Sequence, residues 1–298
     1  MKEIILITGF NGSLASYLSK TIDYSKYKVR WLTTKKNICS NNIYYWNLQE
    51  DYIDPKALSD ISHIIHLAGF NISHSWSKKN KQLMSDSRIK TSKLLYKTCQ
   101  KHKLKLKTFI SASAMGYYGF YQKGLKTEQD KPSNDWMSKL CVKWEKNADN
   151  FQQIGARVCK LRLSLILDKK SNIIQKTFIG FKFRIGIIFG NGQQAFPWIH
   201  IKDVARFIKY CLENEKVKGV FNVSTTQHIS YYDFIKSIQK HKFPNSILMN
   251  IPKIIVGLIM PRQQALIFNN IKICASKMEK TGFQWAYKNI DKMVKEVL

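Results

Sequence analysis

The stretch Met1–Ala15 constrains this chain more than any other. Ile4–Ile7 is an unbroken apolar run, short and mostly β-branched, as a buried parallel strand should be. It breaks at Thr8-Gly9, Gly12 follows three residues later, and from Ser13 the spacing of Leu14, Tyr17 and Leu18 is helical. A strand, a glycine turn and a helix N-terminus together form an anion site, because free backbone N–H groups and the positive end of the helix dipole point at one place. The spacing Gly9-x-x-Gly12-x-x-Ala15 lets a pyrophosphate approach the backbone, and Ala15 is small enough to pack on a sheet. Gly9, Phe10, Asn11, Gly12, Ser13 and Leu14 are therefore the expected phosphate cradle, with an ordinary strand–turn–helix as the competing reading of the same residues.

The second expected strand, Lys28–Thr33, narrows the ligand. A dinucleotide site that takes NAD usually holds the ribose 2′-hydroxyl with an Asp or Glu about 20 residues past the glycines. This chain has Thr33-Thr34-Lys35-Lys36 there. Hydroxyls and two cations suit a 2′-phosphate, so Thr33, Thr34 and Lys35 are read as NADP contacts; an ordinary solvated turn is the alternative. Ile43–Trp46 is the expected third strand. Ser62–Leu67 is a fourth, and Leu67, Ala68 and Gly69 would let a cofactor lie against its carboxyl end. His63 and His66 fall on opposite faces of that strand and cannot share a metal, so both are expected to be structural. A long helix from about Lys78 to Cys99 should turn Leu83, Ile89, Leu94 and Leu95 inward. Arg88 on that helix is read either as a phosphate contact or as a surface arginine. Thr108–Ile110 opens a fifth strand leading into Ser111-Ala-Ser113-Ala-Met-Gly-Tyr117-Tyr118-Gly119.

Net charge then has to be interpreted. The 49 Lys and Arg outnumber the 20 Asp and Glu, giving +29. A basic surface is the electrostatic footprint of nucleic-acid binding, yet the lysines are scattered through most surface segments and form no aromatic-laced stripe. No specific nucleic-acid partner is expected. The longest late apolar run, Ile254–Met260, is far short of the ~20 residues of a transmembrane helix, and no membrane partner is expected. Six well-separated cysteines without a C-x-x-C pair read as reduced thiols, which points to the cytoplasm.

The accumulated order resembles the extended short-chain dehydrogenase/reductase superfamily, and in closer detail its atypical sugar-nucleotide epimerase-like branch (the NAD-dependent epimerase/dehydratase superfamily). The likeness covers essentially the whole chain. It is carried by Leu67-Ala-Gly69, Trp76, Ser87-Arg88, Ser113 with Gly116-Tyr-Tyr-Gly119, Leu140-Cys-x-x-Trp144-Glu145, Leu161-Arg162, Gly190-x-Gly192, Pro197-Trp-Ile-His-Ile-x-Asp203, Phe221-Asn222 and Gly282-Phe283. It implies an α/β fold: a Rossmann-type doubly wound parallel sheet with a smaller C-terminal α/β substrate lobe. The NADP-binding part would span 1–165 and be completed by about 200–225; 166–199 and 226–298 would form the lobe. Ser111 and Ile166 join the expected cofactor contacts, Ile166 beside the nicotinamide.

Ordinary members of that superfamily use a Tyr-x-x-x-Lys pair on the helix after the serine, where the lysine lowers the phenol's pKa. Here the tyrosine position is Trp136 or Met137 and the lysine position Leu140 or Cys141, depending on register. None can do that chemistry. Tyr24–Lys28 and Tyr232–Lys236 spell the motif elsewhere, out of its structural context. The remaining candidates are Ser113 and Tyr118, the latter more readily a core or substrate-wall residue. Asp203 is expected to N-cap a helix over Val204–Leu212, and His200 to make a structural hydrogen bond or a substrate contact. The expected function is an NADP-dependent oxidoreductase, epimerase-like, acting on a small hydroxylated or nucleotide-linked substrate, as monomer or homodimer. A non-catalytic NADP-binding sensor or interaction protein is the alternative.

Overall fold

The computed structural model describes residues 2–120, 122–259, 261 and 264–297. In chain order it begins β1 (Glu3–Thr8), α1 (Ser13–Thr21), β2 (Tyr27–Thr33), β3 (Ile43–Asn47), β4 (Tyr52–Ile53), α2 (Pro55–Leu58) and β5 (Ile61–His66). There follow α3 (Lys78–Lys101), β6 (Thr108–Ala114), β7 (Lys123–Lys126), α4 (Trp136–Asp149), β8 (Arg157–Leu163) and β9 (Leu165–Leu167). Next come α5 (Asn172–Lys182), β10 (Ile185–Phe189), β11 (Trp198–His200), α6 (Ile201–Glu213), β12 (Gly219–Val223) and α7 (Tyr231–Lys242). The chain closes with β13 (Ile247–Ile251), α8 (Lys253–Ile259), α9 (Gln264–Ile267), β14 (Asn270–Ile273), α10 (Ser276–Lys280) and α11 (Ile290–Val297). Met260, the expected end of α8, lies outside the described residues.

Two compact units emerge. One comprises Met1–Ala114, Lys139–Arg162 and Ala205–Phe221; the other Met115–Ser138, Leu163–Val204 and Asn222–Leu298. The stretch Met115–Ser138 thus groups with the second unit, although the sequence reading had counted it with the nucleotide-binding part.

The first unit carries the large sheet, ordered β12-β8-β6-β5-β1-β2-β3-β4. The pairings β1–β2, β1–β5, β2–β3 and β5–β6 are parallel, and the short β4 runs antiparallel to β3. Central strands buried on both faces need continuous apolar sequence, and Ile5, Leu6 and Ile7 of β1 are fully buried. Leu6, Leu32, Ile64 and Phe109 from four strands meet Leu94, Leu95 and Phe151 in one cluster, with Phe109 and Phe151 stacked at 3.6 Å. In α3 Leu94 and Leu95 are buried as expected, but Leu83 is 40% exposed and Met84 is buried instead. Met84 is in helical phase with the buried Thr91, Leu95 and Cys99, whereas Leu83 points one residue off that stripe.

The second unit has three two-stranded parallel sheets, β10–β13, β11–β9 and β14–β7. Its main cluster gathers Phe181, Ile188, Phe196, Trp198, Phe234 and Met293. Asp203 lies inside the first turn of α6 and is not its N-cap. Its carboxylate accepts from the N–H groups of Ala286 and Tyr287, both at 2.8 Å. Tyr232 and Lys236 sit on α7, whose Phe234, Ile235 and Ile238 are buried in this unit. Among the described residues no helix is long and apolar enough to cross a membrane.

Candidate cofactor and active site

Parallel strands deliver their carboxyl ends to one edge of the sheet, and in this register Thr8 of β1 lies opposite His66 of β5, which lies opposite Ser111 of β6. Adjacent strands are about 4.8 Å apart. Residues that follow Thr8, His66 and Ser111 therefore share an edge about 10 Å wide, and these are the residues the sequence singles out.

The turn after β1 is built for a close neighbour. Gly9 has φ +84°, and a Cβ there would stand 3.2 Å from the Leu67 carbonyl carbon and 3.3 Å from the Ala68 nitrogen. A side chain is excluded both by conformation and by space. The Gly12 N–H donates to the Gly9 oxygen at 2.9 Å, and Gly12 then caps α1 without a side chain to satisfy the helix N–H groups. The first turn of α1 holds no acid. Asn11, Gly12 and Ser13 are exposed, Leu14 is half-buried and Ala15 is buried against the sheet. This bare, uncapped helix end fits a pyrophosphate. Phe10 turns back onto Trp31, edge to face at 5.7 Å, and so shapes the turn.

A neutral hydrogen-bond chain fixes the two edges of the cradle. Thr8 Oγ1 accepts from the N–H groups of Leu67 and Ala68 at 3.0 and 2.9 Å and lies 2.9 Å from His66 Nδ1. With two bonds already accepted, the Thr8 proton goes to Nδ1 and leaves His66 protonated at Nε2. Nε2 lies 3.2 Å from Thr91 Oγ1, which donates to the Ser87 carbonyl at 2.7 Å. Burial pushes the His66 ring down to about 4, so it remains neutral. His66 is structural, as expected.

On the far side of β1, Thr33 is buried and its hydroxyl accepts from the Lys35 N–H at 3.2 Å, whereas Thr34 and Lys35 are exposed. The ammonium of Lys36 rests over the Tyr45 ring at 4.7 Å. Thr34 and Lys35 are thus the groups available to a 2′-phosphate; Thr33 shapes the turn.

Arg88 is half-buried and braces the turn through one of its nitrogens. Nη1 donates to the carbonyls of Phe70 and Met84 at 3.1 and 3.0 Å, and the guanidinium lies 5.1 Å over Trp144. A Cβ on Gly69 would come within 3.1 Å of that guanidinium. Arg88 therefore props the turn after β5, and burial lowers its pKa. Ser111 likewise spends its hydroxyl on a backbone carbonyl, that of Ala112, at 2.9 Å.

Ser113 stands apart. Its hydroxyl donates to Glu145 Oε1 at 2.7 Å, and Arg162 grips the same carboxylate with Nε to Oε1 at 2.8 Å and Nη2 to Oε2 at 2.9 Å. All three side chains are buried, at 2%, 6% and 3% exposure. Cys141, one helical turn before Glu145, has its thiol pushed up to about 12 by burial and then by the Glu145 charge, so it stays protonated. The sequence reading quoted Glu145 only as part of a matching string. Its signal was available: Met137, Leu140, Cys141, Trp144 and Ala148 form the buried stripe of α4, and Glu145 falls within it.

In the second unit the Tyr118 ring is buried and its hydroxyl donates to Asn222 Oδ1 at 2.6 Å; the Asn222 amide donates to the Lys126 and Cys274 carbonyls at 3.1 Å each. Tyr118 thus clamps a polar junction within this unit. Ile166 lies in β9, opposite Ile199 of β11. His200 is buried, accepts from the Lys202 N–H at Nδ1 (3.1 Å) and lies against Tyr287 at 4.0 Å, which realises the structural alternative. Burial lowers its pKa to about 4.

Residues 5–224 match the sequence model of the NAD dependent epimerase/dehydratase family. The chain belongs to that family. An epimerase family protein of Staphylococcus aureus is 28% identical over 300 residues, covering 98% of each chain. Among solved structures, the human epimerase family protein SDR39U1 with NADPH superposes with a TM-score of 0.83 at 21% identity, covering 99% of this chain and 98% of that one. UDP-glucuronic acid 4-epimerase from Bacillus cereus, in complex with UDP-glucuronic acid and NAD, gives 0.77 at 16% identity, covering 99% and 97%. The structural likenesses establish the fold.

Proposed function

We propose that this family member is an NADP(H)-dependent, epimerase-like oxidoreductase for a small hydroxylated or nucleotide-linked substrate, and that Ser113 with Glu145 and Arg162 replaces the Tyr-x-x-x-Lys pair. One observation carries the reading. A buried serine–carboxylate–guanidinium unit ends the strand two places from an uncapped, glycine-lined helix N-terminus.

Gly9–Leu14 hold the pyrophosphate, Leu67–Gly69 flank it, and Thr34 with Lys35 meet the 2′-phosphate. The bound nicotinamide supplies or accepts the hydride. Ser113 gives its own proton to Glu145 in a hydrogen bond, so its lone pairs are what it offers a substrate hydroxyl. As that hydroxyl is oxidised, its proton passes to Ser113 Oγ while the serine proton moves to Glu145 Oε1; carbonyl reduction runs the transfers backward. Arg162 fixes the carboxylate plane and keeps Oε1 aimed at the serine. Six cysteines outside any disulfide, four of them buried, are consistent with a reducing compartment such as the cytoplasm.

The alternative, NADP binding without turnover, draws on α4. Its Met137, Leu140 and Cys141 are buried where a phenol and an amine would be needed. Titrating NADPH and NADH by fluorescence, then screening NADPH oxidation against carbonyl compounds, decides between them. Oxidation that drops at least about tenfold in Ser113→Ala supports the enzyme. NADPH binding with no oxidation supports the sensor, and no NADPH binding sinks both.

A further inference from the structure

We propose that the second unit docks on an anionic lipid surface through a basic, aliphatic face formed by α8, β13 and the end of α5. A surface helix normally turns its apolar stripe toward its own core. Helix α8 does the opposite. Ile254 and Leu258 are each 78% exposed and Ile259 71%, whereas Val256, on the other side of the helix, is 2% exposed and anchors it. Ile254/Leu258 and Ile255/Ile259 are two adjacent i, i+4 rows, so the stripe is continuous.

The preceding strand adds to it. Side chains alternate along a strand, and in β13 Leu248 packs on the unit's core while its neighbour Ile247 is 74% exposed. The Ile247 N–H donates to the Arg184 carbonyl at 2.9 Å, which places Phe183, 75% exposed, beside it.

Charge selects the occupant. No acidic residue occurs between Asp168 and Asp203, nor between Asp233 and Glu279, the two stretches that build this face. Lys182, Arg184, Lys242 and Lys253 are exposed within them. A second copy would bring like charges together, which disfavours self-association. A protein interface seats its anchors in pockets, whereas the apolar groups of this face, Phe183 as well as the aliphatics, protrude. Protruding aliphatics ringed by lysine and arginine suit insertion into the headgroup–acyl boundary of an anionic leaflet, about 5–10 Å deep. The contact lies on the membrane and spans nothing; it departs from the expectation of no membrane partner, which rested on the absence of an apolar run long enough to span a bilayer.

The test is flotation of the full-length protein with vesicles of phosphatidylcholine alone or of equal parts phosphatidylcholine and phosphatidylglycerol, at low and high salt. Binding to the mixed vesicles is expected, at least about tenfold weaker on phosphatidylcholine alone and weakened by salt. The double variant Ile254→Ser with Leu258→Ser, checked by circular dichroism to be folded, should lose about tenfold or more, since two aliphatic side chains no longer insert. Absence of binding overturns the proposal. So does wild-type affinity in the double variant, which would mean adsorption by overall charge alone. A dimer in sedimentation that the double variant dissolves would assign the face to a second copy and overturn it as well.

Discussion

The glycine turn and the end of β6 share one sheet edge, yet they are held by opposite means. The turn is tied by neutral groups, with Thr8, His66 and Thr91 passing one hydrogen bond to the next. The end of β6 is tied by charge, with Ser113 fastened to a carboxylate that an arginine clamps. A buried neutral network costs little desolvation and need only keep its shape. A buried ion pair costs much more, and removing one partner leaves the other exposed to that cost. On the proposed function, the difference separates what must stay rigid to receive a phosphate from what can hold a proton at different places.

The largest effect that would break this contrast lies at Glu145. Glu145→Ala strips Arg162 of its carboxylate inside the core and should cost about 3–5 kcal/mol of unfolding free energy, read from the urea midpoint. Glu145→Gln keeps the shape and a hydrogen-bond acceptor and should cost clearly less. A loss below about 1 kcal/mol in Glu145→Ala would mean the pair is as weak as an exposed one.

The neutral side has its own signature in pH. His66 and His200 are each held near 4, below their ordinary value, because burial disfavours the charged ring. Above about 6.5 both states of the chain hold these rings neutral, and the stability is full. Below that the unfolded chain takes up protons that the folded chain refuses until about 4, so stability falls as pH falls through this window. For His66 alone the linkage amounts to at most about 3 kcal/mol. Urea midpoints measured between these limits should therefore decline with acid, and His66→Gln should make the decline shallower. An unchanged slope would show that the ring is not held neutral.

Much of the turn was legible because its signals are local. Ile4–Ile7, Gly9 and Gly12 lie within one short segment, and their geometry follows from strand, turn and helix chemistry alone. The clamp at β6 joins residues 32 and 17 positions apart, Ser113 to Glu145 and Arg162 to Glu145. No periodicity links them; only the misplaced charge on the buried stripe of α4 gave a sign. The bracing role of Arg88 was hidden for a similar reason, since its partners are carbonyls, which sequence does not display. Asp203 was placed as a cap because it precedes a helical run, whereas a contact with residues more than 80 positions later decided its role. The short strands β9, β11 and β14 carry too few residues to show an alternation of their own.

Gly9 is where the neutral region is least forgiving. Gly9→Ala asks an L side chain to adopt φ +84° and to sit 3.2 Å from the Leu67 carbonyl carbon. Strain of that kind costs about 1–3 kcal/mol. The variant should unfold at lower urea and bind NADPH more weakly, because relief of the clash moves the turn away from Leu67 and Ala68. Gly12 has ordinary extended backbone, although a Cβ there would stand 3.2 Å from the Gly9 oxygen, so Gly12→Val should disturb the fold less than Gly9→Ala and act chiefly on NADPH affinity. Equal affinity in both variants and wild type, by fluorescence titration, would place the pyrophosphate elsewhere.

The smallest effect sharpens the comparison most, because it concerns an exposed charge acting on the neutral turn's ligand. Thr34 and Lys35 are exposed after β2, with no acidic residue beside them, so NADPH should bind better than NADH. An exposed lysine–phosphate attraction contributes only about 0.2–1 kcal/mol, and Lys35→Ala should therefore reduce the preference by less than about fivefold. Lys36 is committed to the Tyr45 ring, and Lys36→Ala should change the preference less than Lys35→Ala does. Raising ionic strength should narrow the wild-type preference and leave that of Lys35→Ala nearly flat, since screening acts on the charge the variant has already lost. Parallel titrations of both cofactors at two salt concentrations measure all of this. If the preference is absent in wild type, or if salt affects Lys35→Ala as strongly as wild type, the 2′-phosphate is not read at this turn.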